Sequence, residues 1–137
     1  MRLFLAVAAT AALACALPQS AAAQDAPTSV VTTYRIASGQ QVNFLKWLAR
    51  QDQINSSAGV PRSQLYVHSN GDSWDYLVIA PQPTAAQDAA VEAATRKMGL
   101  NPRRGGLELR QYIASHADTI ATGPTSASAH LAWLGEK

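Results

Sequence analysis

The order in which strand-type and helix-type patterns alternate is the feature that most constrains the fold of this chain. Runs of β-branched and aromatic residues predict strands, and apolar residues at helical spacing predict helices. The predicted elements are strand 30–36, helix 38–59, strands 65–68 and 74–80 around Asn70-Gly71, helix 84–98 and strand 117–122. Their order, β-α-β-β-α-β, is that of a ferredoxin-like sandwich, an α+β fold in which one antiparallel sheet carries its helices on one face.

Both helices open with a sequence typical of a capping box. Ser38-Gly39-Gln40-Gln41 and Thr84-Ala85-Ala86-Gln87 each place a hydroxyl three residues before a glutamine, so each can satisfy free amides of a first helical turn. A loop at 101–106 and a short helix at 107–115 are expected before the last strand. The predicted buried positions are Val42, Leu45, Leu48 and Ala49, widened by Phe44 and Trp47, in the first helix, and Ala90, Val91, Ala94 and Met98 in the second.

The sheet face that the helices do not cover is expected to be apolar. Its β-branched and aromatic side chains are too large and too hydrophobic to be left in water. A second copy packed sheet to sheet with two-fold symmetry is the common solution. The sequence therefore predicts a homodimer.

The first 23 residues fit an export signal. Arg2 supplies a positive charge, residues 3–17 are apolar, and Ala21 and Ala23 form an A-x-A exit site. The apolar run of 15 residues is shorter than the roughly 20 that a membrane-spanning helix needs. We predict a signal peptide over 1–23, cleaved after Ala23, and a periplasmic or secreted mature protein without stable membrane insertion.

Cys15 offers an alternative to this interpretation. Ala12-Leu13-Ala14-Cys15 resembles the lipobox of bacterial lipoproteins, but the leucine stands two places before the cysteine rather than the usual three. Signal cleavage after Ala23 is therefore favoured over acylation at Cys15. It removes the only cysteine, so the mature chain is expected to have no disulfide and no thiol nucleophile or thiolate ligand.

The mature chain is expected to form one domain with little net charge. Of 137 residues, removal of 23 leaves 114, with ten Lys and Arg against nine Asp and Glu. A balance near neutrality disfavours electrostatic binding to nucleic acid. We predict a flexible N terminus over 24–29, the domain over 30–124, and a tail over 125–137 whose apolar residues form a turn of helix packed on the domain or on a partner.

Two segments carry a resemblance to a known superfamily. Trp74-Asp75-Tyr76-Leu77-Val78-Ile79 follows the short hairpin, and His116-Ala117-Asp118-Thr119-Ile120 precedes Gly123-Pro124. Together with the element order, they resemble the dimeric α/β-barrel superfamily over most of residues 30–124. The resemblance implies a ferredoxin-like fold and a homodimer, here in an exported member. The superfamily spans cofactor-free monooxygenases, haem-degrading enzymes and polyketide cyclases, and a shared fold does not transmit function.

Three polar residues are candidates for catalysis. His116 and Asp118 are two apart and share a face if the last strand includes both, so a His–Asp contact could orient the imidazole as a base. His68 ends the second strand. The alternatives are that Asp118 caps or turns the chain and that the histidines are solvated at strand edges.

Four further residues are candidates for ligand binding. Arg35 lies within the first strand and requires an acid partner or a ligand; Asp75 is the expected structural partner, and a carboxylate or phenolate ligand is the alternative. Tyr34, Trp74 and Tyr76 could form an aromatic wall for a planar ligand, or could simply belong to the core.

No metal or cofactor is expected. The three histidines lack the spacing of a zinc site, and no glycine-rich loop has phosphate-binding spacing. Arg103-Arg104-Gly105-Gly106 is a candidate anion site on its residue types alone.

Three classes of function stay open at this stage. One is an exported binding or accessory protein that holds a small apolar or aromatic molecule in a pocket between sheet and helices. Another is a cofactor-independent monooxygenase, cyclase or lyase acting on an aromatic substrate, with a histidine base buried beside a hydrogen-bonded partner and Arg35 as the anion clamp. The last is a purely structural interaction module.

Overall fold

The computed structural model describes residues 27–136, and the predicted order of the main elements is confirmed there. The predicted signal peptide, Cys15 and residues 24–26 lie outside the described residues. In chain order, the elements are β1 (Thr28–Ile36), α1 (Gln41–Ser57), β2 (Gln64–Val67), β3 (Tyr76–Pro81), α2 (Ala85–Lys97), a 3-10 turn (Pro102–Arg104), α3 (Gly105–Leu109), β4 (Ile113–Thr122) and α4 (Ala127–Trp133).

The sheet has four antiparallel strands in the order β2-β3-β1-β4, so the ferredoxin-like α+β fold is confirmed. In the central strand β1, Tyr34 lies opposite Tyr76 of β3 and opposite His116 of β4. Directly opposed residues project from the same face of a sheet. We call the face of this row the helix side, and the face of Thr33 and Leu77, which are also opposed, the open side.

Phe44 of α1 packs this helix against the sheet. Its side chain is completely buried, and its ring centroid lies 4.9 Å from that of Tyr34 and 5.3 Å from that of Tyr76. Leu48, one turn further along α1, belongs to the same cluster. The core therefore lies between α1 and the paired strands β1 and β3.

The predicted buried positions of α1 are confirmed at Phe44 and Leu48 but are wrong at Val42, Leu45 and Ala49. Phe44, Leu48 and Ile54 are buried, whereas Val42 is 62% exposed and Leu45 is 36% exposed. Ala49 is exposed as well. At about 100° per residue, the helix cannot turn both Val42 and Phe44 toward the sheet, and the large phenyl ring takes the space between the two tyrosines.

The predicted capping box at Ser38 is also wrong. The N-cap of α1 is Gln40, and no side chain bonds to the helix amides there. Residues 37–40 form a turn closed by the Gln40 amide, which donates to the Ala37 carbonyl at 3.0 Å. Gly39 has a φ of 75°, a conformation that glycine adopts without steric cost. Ser38 is therefore part of this turn and stands two positions before the N-cap residue of α1.

The second capping box is confirmed at the start of α2. The Thr84 hydroxyl accepts from the Gln87 amide, and the Gln87 side chain accepts from the Thr84 amide at 2.9 Å.

We expect Thr84→Ala to lower the free energy of unfolding by about 1 kcal/mol, because it leaves the Gln87 amide without its acceptor. Ser38→Ala is the matched control and should change it by less than about 0.5 kcal/mol. Urea unfolding followed by circular dichroism measures both values. Equal losses in the two variants would contradict the assignment of Thr84 as the cap.

The packing of α2 and the boundaries near β4 also differ from prediction. No residue of α2 is buried; Ala90, Val91 and Ala94 are half-buried and Met98 is exposed. The predicted loop at 101–106 contains the 3-10 turn and the start of α3. The predicted helix over 107–115 ends at Leu109, and β4 begins at Ile113, which pairs with Ile36. Residues 113–115 belong to the sheet instead of a helix, because this segment pairs with β1.

The C-terminal tail forms the predicted short helix, α4. All its residues are exposed, Trp133 to 68%. Within residues 27–136, none of the helices combines the length and hydrophobicity needed to cross a bilayer.

Candidate functional site

Tyr34 and His116 form an aromatic surface on the helix side of the sheet. Their rings stack across β1 and β4, with centroids 6.1 Å apart and planes inclined by 20°. Tyr34 is held from behind by Phe44. His116 is 40% exposed at its side chain, since the helices cover β1 and leave β4 open. We call Tyr34, Thr32, His116 and Asp118 the β1–β4 site.

Asp118 lies beside His116 in this site. Thr32 and Asp118 are opposed across β1 and β4, next to the Tyr34–His116 pair, so the prediction that His116 and Asp118 share a face is confirmed. Asp118 Oδ2 lies 3.6 Å from His116 Nε2. That separation exceeds a hydrogen bond but lets the carboxylate stabilise a protonated imidazole.

The phenol of Tyr34 is held in its protonated form. Burial raises the pKa of Tyr34 above its usual value of 10.0; the Thr32 hydroxyl lowers it, and the negative charge of Asp118 raises it. The phenol is therefore neutral at physiological pH and is able to donate a hydrogen bond. The site thus combines a phenol donor, an imidazole and a carboxylate acceptor.

His68 belongs to a separate cluster. Its ring packs on Trp74 at 4.9 Å, and its backbone amide donates to the Asp75 carbonyl. His68 Nε2 is buried and makes no hydrogen bond within the described part of the chain. The structure therefore does not bring His68 together with His116 and Asp118.

The expected Arg35–Asp75 ion pair is not found among residues 27–136. The carboxylate of Asp75 instead accepts from the Ile36 amide at 2.6 Å. Arg35 is exposed and, lying between Tyr34 and Ile36 in β1, projects from the open side. It cannot act as an anion clamp on the same face as His116.

The three residues of the predicted aromatic wall, Tyr34, Trp74 and Tyr76, lie in different environments. Tyr34 and Tyr76 are both buried against Phe44, so Tyr76 is a core residue. Trp74 precedes β3 and packs on His68. Of the three, Tyr34 alone adjoins the His116–Asp118 pair.

Sequence reasoning missed a polar network next to this core. Arg50 Nη2 bonds to Glu108 Oε1 at 2.5 Å, and the Tyr112 hydroxyl donates to the same oxygen at 3.1 Å. Burial, followed by this hydrogen bond, raises the pKa of Tyr112. Arg50 and Glu108 are 58 residues apart, and no local pattern relates them. The network ties α1 to α3 and to the start of β4.

These features define an α+β protein of ferredoxin-like fold with a polar, aromatic site between its central strand and an edge strand. Within the described residues, no three His, Cys, Asp or Glu side chains are placed to share a metal ion.

The comparisons support the fold. No family profile matches the sequence, and no curated protein matches it. The structure is similar to a putative antibiotic biosynthesis monooxygenase from Nitrosomonas europaea, with a TM-score of 0.52 and 14% identity over 75% of this chain and 97% of the other. At that identity, the likeness shows the fold alone.

Two other solved structures have lower TM-scores. One is a cofactor-independent oxygenase from Streptomyces nogalater, with a TM-score of 0.49 and 16% identity over 73% of this chain and 95% of the other. The other is a dimeric ferredoxin-like protein of unknown function from Thermobifida fusca, with a TM-score of 0.47 and 9% identity over 73% of this chain and 93% of the other.

Proposed function

We propose that this chain is an exported protein that binds a small aromatic molecule at the β1–β4 site. The observation that carries the proposal is the stacked Tyr34–His116 pair with Asp118 at its edge. Aromatic faces attract planar rings through dispersion and quadrupole interactions. An aromatic ligand would lie along the exposed side of His116 and remove that face from water.

The polar groups of the site favour a ligand that carries a hydroxyl group. Asp118 is an acceptor, and His116 can donate or accept a hydrogen bond. A phenolic hydroxyl could donate to the carboxylate or imidazole, and its oxygen could accept from the neutral phenol of Tyr34. A hydroxylated aromatic ring can therefore form hydrogen bonds with polar groups of the site that an unsubstituted ring leaves unpaired.

We also propose that the protein forms a homodimer. Val31, Thr33, Leu77 and Ile79 share the open side of the sheet, opposed in pairs across β1 and β3, and each is partly exposed. Three of the four are aliphatic, and a contiguous apolar face of this kind is the usual basis of a two-fold interface. A sheet-to-sheet dimer would cover this face and leave the β1–β4 site, on the helix side, accessible.

Export rests on the sequence of residues 1–23. The positive Arg2, the apolar run and the A-x-A exit fit a cleaved signal. Mass spectrometry of the protein recovered from the periplasm should give a chain that begins at Gln24. A lipid-modified chain that begins at Cys15 would contradict this part of the proposal.

We expect 1-naphthol to bind the β1–β4 site more tightly than naphthalene, which lacks the hydroxyl. His116→Ala removes one stacking face and one polar partner, so it should weaken naphthol binding by about tenfold. Tyr34→Phe removes the phenol hydroxyl alone and should weaken it by about threefold. Chemical-shift perturbation in NMR titrations gives both the affinities and the residues affected.

His130→Ala is the matched control, since it removes an exposed histidine from α4 and should leave the affinity unchanged. Equal affinities for naphthol in the wild type and in both site variants would overturn the proposal.

A cofactor-independent enzyme is the second candidate function. It is favoured by the 3.6 Å approach of Asp118 to His116, since His116 could take a proton from a substrate hydroxyl while Asp118 stabilises the imidazolium. The 40% exposure of His116 and the absence of a hydrogen bond to Asp118 fit a base less well than a binding residue. Oxygen uptake with 1-naphthol that is lost in His116→Ala would favour the enzyme.

A further inference from the structure

We infer that a second site, in the cleft between α1, α2 and the segment 99–111, binds a small organic anion with an apolar body. The cleft has a volume of about 850 Å³ and is open to solvent. Small-molecule sites commonly measure about 300–1,000 Å³. None of its lining residues belongs to the β1–β4 site, so this site is separate from that of the proposed function.

Two adjacent arginines supply the positive charge of the cleft. Arg103 and Arg104 both line it, and neither takes part in an ion pair among residues 27–136. The 3-10 turn that contains them is held by the Asn101 side chain, which accepts from the Arg103 amide at 3.0 Å. Unpaired guanidinium groups prefer carboxylates, which they bind through two parallel hydrogen bonds.

The acidic residues of the cleft do not cancel this charge. Glu108 is paired with Arg50 at 2.5 Å, and Glu92 with Arg96 at 2.7 Å. Asp88 lies in the first turn of α2, nine residues before the last residue of the helix. At 1.5 Å per residue, that is roughly 13 Å along the axis from the end that leads into the arginines. The cleft therefore has a cationic end.

The remaining lining is suited to an apolar body. Ile54, almost completely buried, forms the floor, and Val91 and Leu100 are half-buried beside it. Leu107 lines the same cleft and is 56% exposed. An apolar chain or ring would cover this leucine while its anionic group reaches the arginines. An aliphatic or aromatic carboxylate meets both requirements.

The test compares octanoate with 1-octanol, which has the same chain and no charge. Octanoate should shift the methyl resonances of Ile54, Val91 and Leu107 in NMR titrations of the mature protein. The double substitution Arg103→Gln/Arg104→Gln should weaken octanoate binding by at least about tenfold. It should leave the weaker binding of 1-octanol unchanged.

Arg62→Gln serves as the control, because Arg62 is exposed and lies outside the cleft; it should not alter octanoate binding. Unchanged octanoate affinity in the double variant would overturn the inference, and so would equal losses for octanoate and octanol. Octanoate shifts confined to Tyr34 and His116 would also overturn it, while leaving the proposed β1–β4 site intact. Failure of naphthol to bind that site would leave the cleft unaffected.

Discussion

Phe44→Ala should lower the free energy of unfolding by about 3–5 kcal/mol, the range observed when a buried aromatic ring is truncated to a methyl group. Phe44 is completely buried and contacts Tyr34, Trp47 and Tyr76. Its loss leaves a cavity at the junction of α1 with β1 and β3. Domains are stable by only about 5–15 kcal/mol, so a large part of the total is lost.

Val42→Ala is the matched control for this experiment. Val42 lies in the same helix and was predicted to be buried, but it is 62% exposed. Its truncation should change the free energy of unfolding by less than about 0.5 kcal/mol. Urea unfolding followed by circular dichroism measures both variants. A loss at Val42 as large as that at Phe44 would show that Val42 is buried, as the sequence pattern indicated.

Leu77→Asp should convert the proposed dimer into a folded monomer. Leu77 lies on the open side of the sheet, opposite Thr33. In a sheet-to-sheet dimer, two-fold symmetry would bury two new carboxylates in one apolar interface. An unpaired charge in such a place costs several kcal/mol, enough to separate the chains at micromolar concentration. Light scattering coupled to size-exclusion chromatography gives the mass directly.

Val42→Asp is the control for the dimer, because it adds the same charge on exposed helix surface away from the open side. It should remain a dimer, and circular dichroism should show that both variants are folded. A wild-type mass equal to one chain would contradict the dimer proposal. A Leu77→Asp protein that stays dimeric would place the interface elsewhere than on the open side.

Local patterns predicted the elements better than their packing. The two capping boxes illustrate the difference, since they have the same form in the sequence. Thr84 caps α2 because it directly precedes the helix in extended conformation. Ser38 does not cap α1, because Gly39 turns the chain and moves the helix start to Gln41. The conformation of the linking turn, which the motif does not specify, separates the two cases.

The candidate site was predictable only in part. Strand alternation placed His116 and Asp118 on one face, and the register of β4 confirms that placement. Alternation could not show that Tyr34 lies opposite His116, since strand order depends on pairing between residues 82 positions apart in the chain. The predicted Arg35–Asp75 ion pair is wrong for a related reason. The carboxylate of Asp75 accepts a hydrogen bond from the backbone amide of Ile36, a contact that no local pattern indicates.

The alternation of patterns by itself determined that this chain forms a β-α-β-β-α-β domain, because strand and helix periods are local properties of hydrophobic residues. The tertiary structure alone decided the assignments that depend on contacts between distant segments. Phe44 rather than Val42 occupies the core, because its ring fits between Tyr34 and Tyr76. Arg103 and Arg104 line a cleft because α1, α2 and α3 meet beside them, a meeting that no local spacing encodes.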